Sequence, residues 1–143
     1  MFKSSILLGL ALIASAANAV TITFWSDNYR QGQQVVCSNL EYEFCYRLDD
    51  NHANLGLSSA AYGNGNMYLN KFAVTLYSGH GCNGRMDRWG FTRNNWEAPY
   101  FIEYFQSLND NVRSFKIAAR DLPTTSGAAR EDEETNFRPS CRT

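Results

Sequence analysis

Two short segments carry side chains that could bind a divalent cation. Residues 109–114 read NDNVRS and residues 54–59 read NLGLSS, so each combines amide, carboxylate or hydroxyl oxygens. Calcium prefers six to eight oxygen ligands at relaxed geometry, drawn from carboxylates, carbonyls, hydroxyls and water. Both segments are turn-like and lead into an apolar, strand-like stretch. The chemistry that these residues could support is therefore calcium binding.

Other kinds of chemistry find less support in the residues. His52 and His80 lie in loop-like surroundings, without a recognisable Ser or Cys partner and without the spacing of zinc ligands. Glu97 and Glu103 flank an aromatic segment, but spacing alone does not define a glycosidase pair. The net charge of −1 offers no basic surface for nucleic acid. We therefore expect a protein that is not an enzyme, binds no nucleic acid and has no cofactor beyond weakly bound calcium.

The elements that would position the two segments are strands. Residues 20–25 and 72–77 alternate apolar and polar side chains, as half-buried strands do. Residues 94–105 are aromatic and irregular, and we expect a short helix followed by a strand there. No segment keeps a helical period over three turns, so the predicted fold class is all-β. Further strands are predicted at residues 33–37, 44–48, 57–62, 85–89 and 112–118.

The composition divides the chain into three parts. Residues 1–19 combine a positive start, an apolar run and a small-residue cleavage site, which is typical of a secretory signal peptide, with a buried helix as the alternative. Residues 20–119 form the predicted domain. Residues 120–143 include the run EDEE and are expected to be an acidic flexible tail. Since no later stretch is long and apolar enough to be transmembrane, the predicted localisation is secreted and extracellular.

Four cysteines, all after the signal peptide, predict two disulfides. An even count in a small exported chain is typical of a disulfide framework, and four cysteines allow three connectivities. Proximity in the sequence suggests one bond between Cys37 and Cys45 and another between Cys82 and Cys141. The second bond would hold the end of the tail against the domain.

The two halves of the domain follow one plan. Each half opens with an alternating strand that ends in an aromatic residue, and each continues into a turn with a glycine, Gly32 or Gly84. Each half then ends in one of the two Asn-led segments. Four strands per half are what a two-sheet Greek-key sandwich requires.

These motifs resemble those of the βγ-crystallin family. The family's unit ends in Asn/Asp-Asn/Asp-x-x-Ser/Thr-Ser, which residues 109–114 match except at the fifth place and residues 54–59 except at the second. Its hairpin signature, aromatic-x4-aromatic-x-Gly, is met more loosely by residues 24–32 and 77–84. The resemblance covers about residues 21–118. It implies a Greek-key sandwich of two four-stranded units.

The resemblance also implies two calcium sites, each joining the fifth-place hydroxyl of one unit to the hairpin loop of the other. The first would use Ser58, with Asn54, and the loop 78–83, which offers no carboxylate. The second would use position 113, which is arginine and therefore brings only donors and a fixed positive charge. We expect Arg113 to replace the cation and to pair with Asp27. Calcium binding should then be weak, in the millimolar range.

An exposed aromatic side chain is the other candidate for binding. Most aromatic residues of the segment 89–105 are expected to pack in the core, whereas Trp96 has polar neighbours and could contact a sugar, a membrane or a protein. The small secreted microbial members of the βγ-crystallin family include killer-toxin-like antimicrobials and proteinase inhibitors. The resemblance therefore implies an extracellular binding or toxin-like (antimicrobial or effector) protein with an unknown cell-surface target. A stable structural protein with weak calcium binding, or a proteinase inhibitor using residues 63–66, is the alternative.

Overall fold

Alternation of apolar and polar residues produces the strands that dominate this chain. In the computed structural model, which describes residues 20–63, 71–92, 100–120, 122–129 and 138–143, Val20, Ile22 and Phe24 are fully buried and their neighbours half-buried. The signal-peptide prediction, Trp96 and residues 64–66 lie outside the described residues. The described elements are β1 (Val20–Asp27), a 3₁₀ turn (Asn28–Arg30), β2 (Gln31–Leu40), β3 (Cys45–Arg47), α1 (Asp50–Ala53), β4 (Ser59–Gly63), β5 (Lys71–Tyr77), β6 (Arg85–Thr92), β7 (Tyr100–Ile102), β8 (Ser114–Ala118), β9 (Thr125–Ala128) and β10 (Ser140–Arg142).

The described strands form two antiparallel five-stranded sheets. The first sheet has the order β10-β2-β1-β4-β7, and the second has the order β3-β8-β5-β6-β9. Strand β3 belongs to the first half of the chain but lies in the second sheet, whereas β7 belongs to the second half and lies in the first sheet. The predicted all-β fold class is therefore confirmed, and each half contributes strands to both sheets.

Aromatic pairs join the two sheets in one core. Phe24 on β1 meets Phe115 on β8 edge to face, with ring centroids 5.4 Å apart. Tyr62 on β4 stacks on Phe72 of β5 at 4.1 Å. Each such ring removes a large apolar area from water, and edge or offset pairs add specificity to that burial. The two halves therefore share one main hydrophobic core, beside a smaller cluster around Cys45 and Cys82.

Two short strands lie in the segment that composition predicts to be a flexible tail. Strand β9 pairs with β6, and β10 pairs with β2, where Cys141 lies opposite Cys37. Composition did not predict these strands because pairing with an exposed sheet edge uses the main chain and needs no apolar side chains. The acidic run at residues 131–134 lies outside the described residues.

The disulfides join Cys37 to Cys141 and Cys45 to Cys82. Two bonds are confirmed, but the pairing suggested by proximity in the sequence is wrong. Cys37 lies on β2 in the first sheet and Cys45 begins β3 in the second, so the crossing between sheets separates them. Two disulfides indicate folding in an oxidising environment. Within the described ranges, no helix is long and apolar enough to cross a membrane.

Candidate functional site

The two halves hold their first hairpins with matching hydrogen bonds. Ser26 Oγ and Ser78 Oγ each accept a hydrogen bond from the backbone N–H seven residues later, at 2.8 and 2.9 Å. Gly32 and Gly84 occupy the same place in their hairpins, with φ of 81° and 78°. Residues that have a side chain rarely adopt this left-handed backbone conformation, so glycine is favoured there. The repeat seen in the sequence is thus also a repeat of local geometry.

The last serine of each Asn-led segment ties its strand to a hairpin loop. Ser59 Oγ accepts a hydrogen bond from Arg30 N at 2.9 Å and donates to the carbonyl three positions before Arg30 at 2.7 Å. Ser114 Oγ accepts from Cys82 N at 2.9 Å and donates to the carbonyl three positions before Cys82 at 2.5 Å. Both serines are fully buried. Arg30 and Cys82 are therefore equivalent positions, and both have positive φ.

The predicted calcium ligand Ser58 faces the other Asn-led segment. Its Oγ lies 3.0 Å from Asp110 Oδ1 and 3.3 Å from the Gly56 carbonyl oxygen, so it can donate to either. The loop 78–83, its expected partner, is held by Ser114, and the contacts of Ser58 Oγ are with Asp110 and Gly56. Asn54 is exposed at the end of α1, where its backbone N–H donates to the helix. Sequence reasoning therefore missed Asp110 as the partner of Ser58.

This oxygen cluster offers little to a calcium ion. Ser58, Asp110 and Gly56 bring together one hydroxyl, one carboxylate and one carbonyl, whereas calcium takes six to eight oxygens. In the part of the chain that the structure describes, no three His, Cys, Asp or Glu side chains come together as a metal site. Ser58 is also buried. The geometry is compatible only with weak binding that recruits water or moves the segment.

Arg113 occupies the position in the second half that Ser58 occupies in the first. The backbone N–H of Ser58 donates to the carbonyl of Trp25 at 2.8 Å, and that of Arg113 donates to the carbonyl of Tyr77 at 2.9 Å. Trp25 and Tyr77 are the last aromatic residues in the first strand of each half. The arginine therefore stands where the second predicted calcium site would need a hydroxyl.

Arg113 does not make the ion pair predicted for it. The Asp27 carboxylate lies against its own hairpin, where a Cβ on Gly32 would come within 2.7 Å of Asp27 Oδ2. The Nη1 atom of Arg113 is buried and has no hydrogen-bond partner among the described residues. The predicted salt bridge is therefore wrong, because the turn folds the acid onto its own hairpin. The ion pairs between described side chains are Arg30–Glu103, Arg120–Glu43 and Arg138–Asp49.

The buried carboxylate of Asp87 positions the second Asn-led segment. Asp87 is 1% exposed and accepts hydrogen bonds from Ser107 N at 3.0 Å and Leu108 N at 3.1 Å. Ser107 Oγ lies 2.9 Å from both of its carboxylate oxygens. These donors offset the cost of burying the acid. Its role is to hold the turn before Asp110, and the sequence signal was an acid inside a predicted strand.

Three large apolar side chains are exposed among the described residues: one lies in the first hairpin loop and two lie in the segment 101–104, which contacts that loop. Tyr29, Phe101 and Tyr104 are 61%, 41% and 50% exposed. The guanidinium of Arg30 lies over the Phe101 ring, with Cζ 3.7 Å from the ring centroid. It also pairs with Glu103, with Nη2 3.2 Å from Oε1 and Nε 3.3 Å from Oε2. We call these five residues the aromatic edge surface, because β7 is one of the two edge strands of the first sheet as described.

The backbone beneath this surface is fixed in an unfavourable conformation. Tyr29 and Arg30 both have positive φ, at 57° and 60°, which costs an L-residue about 1–2 kcal/mol. Hydrogen bonds offset that cost, since Tyr29 N donates to Glu103 O at 2.7 Å and Arg30 N donates to Ser59. Sequence reasoning placed the exposed aromatic at Trp96 and missed Tyr29. The closeness of an aromatic residue to a hairpin glycine was the available signal.

No protein-family model matches this chain, and comparisons with curated proteins and with solved structures also find no match. Its function must therefore be inferred from its own residues.

Proposed function

We propose that this chain is a secreted, non-enzymatic, βγ-crystallin-like protein that binds an extracellular target through the aromatic edge surface. The exchange of β3 and β7 between the sheets supports a Greek-key arrangement of two four-stranded units. The matching bonds of Ser59 and Ser114 support the same arrangement, since each serine closes its own half. The two disulfides support an extracellular location, in agreement with the signal-like residues 1–19.

The exposure of three aromatic side chains around Arg30 is the observation that carries this proposal. Tyr29 is held in a left-handed conformation although most of its side chain contacts no other part of the protein. Core packing therefore does not explain the strain, whereas presentation of the ring to a partner does. Tyr, Phe and Arg are enriched in protein–protein interfaces, and Tyr and Arg among the residues that dominate binding energy. The target that this composition fits is a protein on another cell, in keeping with a toxin-like or effector role.

Binding of the labelled mature chain (residues 20–143) to panels of microbial and plant cells tests this proposal. We expect Tyr29→Ala with Tyr104→Ala to weaken binding at least tenfold, because aromatic residues that dominate an interface contribute about 2 kcal/mol or more. Growth arrest or cell death, where the wild type causes it, should weaken in parallel. Arg30→Ala should also weaken binding, and Arg142→Ala is its matched control, since Arg142 is exposed on the opposite edge strand of the same sheet.

The proposal fails if the double tyrosine variant binds and acts on the cells as the wild type does. Loss of binding after removal of surface glycans, with protein targets left intact, would reassign the surface to carbohydrate. Thermal unfolding of each variant shows whether lost binding reflects lost structure.

Weak calcium binding is the second candidate, favoured by the contact between Ser58 Oγ and Asp110 Oδ1. With one carboxylate, a dissociation constant in the millimolar range is expected. Isothermal titration of the mature chain measures it, and Asp110→Asn should abolish the signal. A dissociation constant tighter than about 100 μM would contradict this expectation, because a site with one acid should not reach it.

A further inference from the structure

A pocket of about 550 Å³ lies on the outer face of the second sheet. Tyr77 and Met86 form its floor, where they pack with Cys82. Strand β9 forms one wall through Thr125, Ser126 and other residues of that strand. The volume falls within the range of small-molecule sites, roughly 300–1,000 Å³.

Two cationic side chains reach this pocket from strands that are not neighbours. Thr75 on β5 lies opposite Arg88 on β6 and opposite Lys116 on β8. Because side chains alternate between the faces of a sheet, all three point to the same face. The Cα atoms of the two cationic residues are two strand spacings apart, roughly 10 Å. Two long side chains at this separation can contact one ligand from two sides.

The described lining of the pocket brings two positive charges. Among its described lining residues there is no carboxylate, whereas Arg88 and Lys116 each bring a positive charge. The net charge of the whole chain is −1, so this charge is local. Arg88 Nε donates to Thr75 Oγ1 at 3.0 Å, which fixes the guanidinium and leaves its terminal nitrogens for other contacts.

We propose that this pocket binds a small organic anion, with Arg88 and Lys116 each contacting an anionic oxygen. The ligand class is a sugar-sized molecule that carries a carboxylate or phosphate group. Tyr77 and Met86 provide apolar contact for its carbon skeleton, and the Thr125 hydroxyl, which lies on the same face as Arg88, can bond a neutral hydroxyl. A bare inorganic ion would fill only part of this volume. The site lies on a different sheet from the aromatic edge surface and does not depend on the function proposed for that surface.

Isothermal titration of the mature chain with glucose 6-phosphate and with glucuronate tests the proposal, with glucose as the neutral probe. Both anions should bind at millimolar or lower concentration, more weakly in high salt, and glucose should not bind. Arg88→Gln and Lys116→Gln should each weaken binding about tenfold, which is the usual effect of losing one charge-assisted hydrogen bond. Arg142→Gln removes one positive charge on the other sheet and should leave the affinity unchanged.

The titration is repeated in a variant whose four acids at residues 131–134 are changed to amides, so that these carboxylates do not compete with the added anion. Binding in either background supports the proposal, and binding in neither overturns it. An equal loss in Arg142→Gln and in the two pocket variants also overturns it, because the effect would then be one of net charge. Inorganic phosphate binding as tightly as glucose 6-phosphate would remove the assigned role of the apolar floor. Thermal unfolding checks each variant, and Lys116→Gln provides the test if loss of the Arg88–Thr75 bond unfolds the chain.

Discussion

Two hairpin loops of this protein share a backbone geometry but are anchored by different chemistry. They are the loop between β1 and β2 and the loop between β5 and β6. In the first, Ser59 binds the backbone N–H of Arg30, and in the second, Ser114 binds that of Cys82. Arg30 and Cys82 therefore mark the same point in the two halves.

The residues that meet these two positions are equivalent as well. Cys45 on β3 lies opposite Lys116, which is two positions after Ser114. Phe101 on β7 lies opposite Ala61, which is two positions after Ser59. In the second loop, Cys82 forms a disulfide with Cys45. In the first loop, the guanidinium of Arg30 lies over the ring of Phe101. A covalent bond in one half thus corresponds to a cation–π contact in the other.

The difference separates stability from recognition. The disulfide residue Cys82 is only 2% exposed, whereas the cation–π contact leaves Phe101 and Tyr29 accessible. A disulfide has no free donor or acceptor of consequence, whereas Arg30 keeps a charge and several donors at the surface. The equivalent position therefore stabilises the fold in one half and exposes a charged group to solvent in the other.

Of the changes to the two loops, removing the disulfide should have the largest effect on the free energy of unfolding. We expect the double change Cys45→Ala and Cys82→Ala to lower the free energy of unfolding by about 4 kcal/mol, because the bond closes a loop over a sequence separation of 37 residues. Urea unfolding of the mature chain measures the loss, with the Cys37–Cys141 bond intact as the internal control. A loss below about 1 kcal/mol, within the range of a cation–π contact, would show that the two anchors differ little in strength.

The count of two disulfides and most strands could be predicted because their signals are local. Alternation identified β1, and an even number of cysteines in a chain with a signal-like start identified the bonds. The pairing could not be predicted, because the exchange of β3 and β7 between sheets is set by long-range packing. That exchange separates Cys37 from Cys45 and brings Cys45 to Cys82.

The candidate site was less predictable than the fold for the same reason. Ser58 was identified from its motif, but its partner Asp110 lies in the other half and depends on how the halves face each other. The turn that presents Asp110 is held by Asp87, which no motif marks. The exposure of Tyr29 and Phe101 is likewise a property of the sheet edge and not of their neighbours in the sequence.

Replacing the cation–π contact of the first loop by a disulfide should have an intermediate effect on the free energy of unfolding. If the positions are equivalent, Arg30→Cys with Phe101→Cys should form a third disulfide, since the Cα atoms of Cys45 and Cys82 are 5.9 Å apart. Engineered bonds give less than loop closure alone predicts, so we expect a gain of about 2 kcal/mol in the free energy of unfolding. Thiol titration and mass spectrometry detect the bond. Two free thiols under oxidising conditions would refute the equivalence, and target binding should be lost when the bond forms.

Removing the cation–π contact alone should have the smallest effect on stability. Arg30→Ala deletes the contact with Phe101 and the ion pair with Glu103. The side chains of Arg30 and Glu103 are 38% and 35% exposed. Exposed contacts of both kinds contribute about 0.5–1 kcal/mol, so urea unfolding should shift by about 1 kcal/mol. Binding to target cells should nevertheless fall at least tenfold, since arginine is frequent among the residues that dominate interfaces. Arg30→Lys sharpens the result, because lysine keeps the charge but lacks the planar group that stacks and pairs in two directions. A variant that loses stability in proportion to binding would show that Arg30 is only an anchor, as Cys82 is, and would remove the distinction between the two loops.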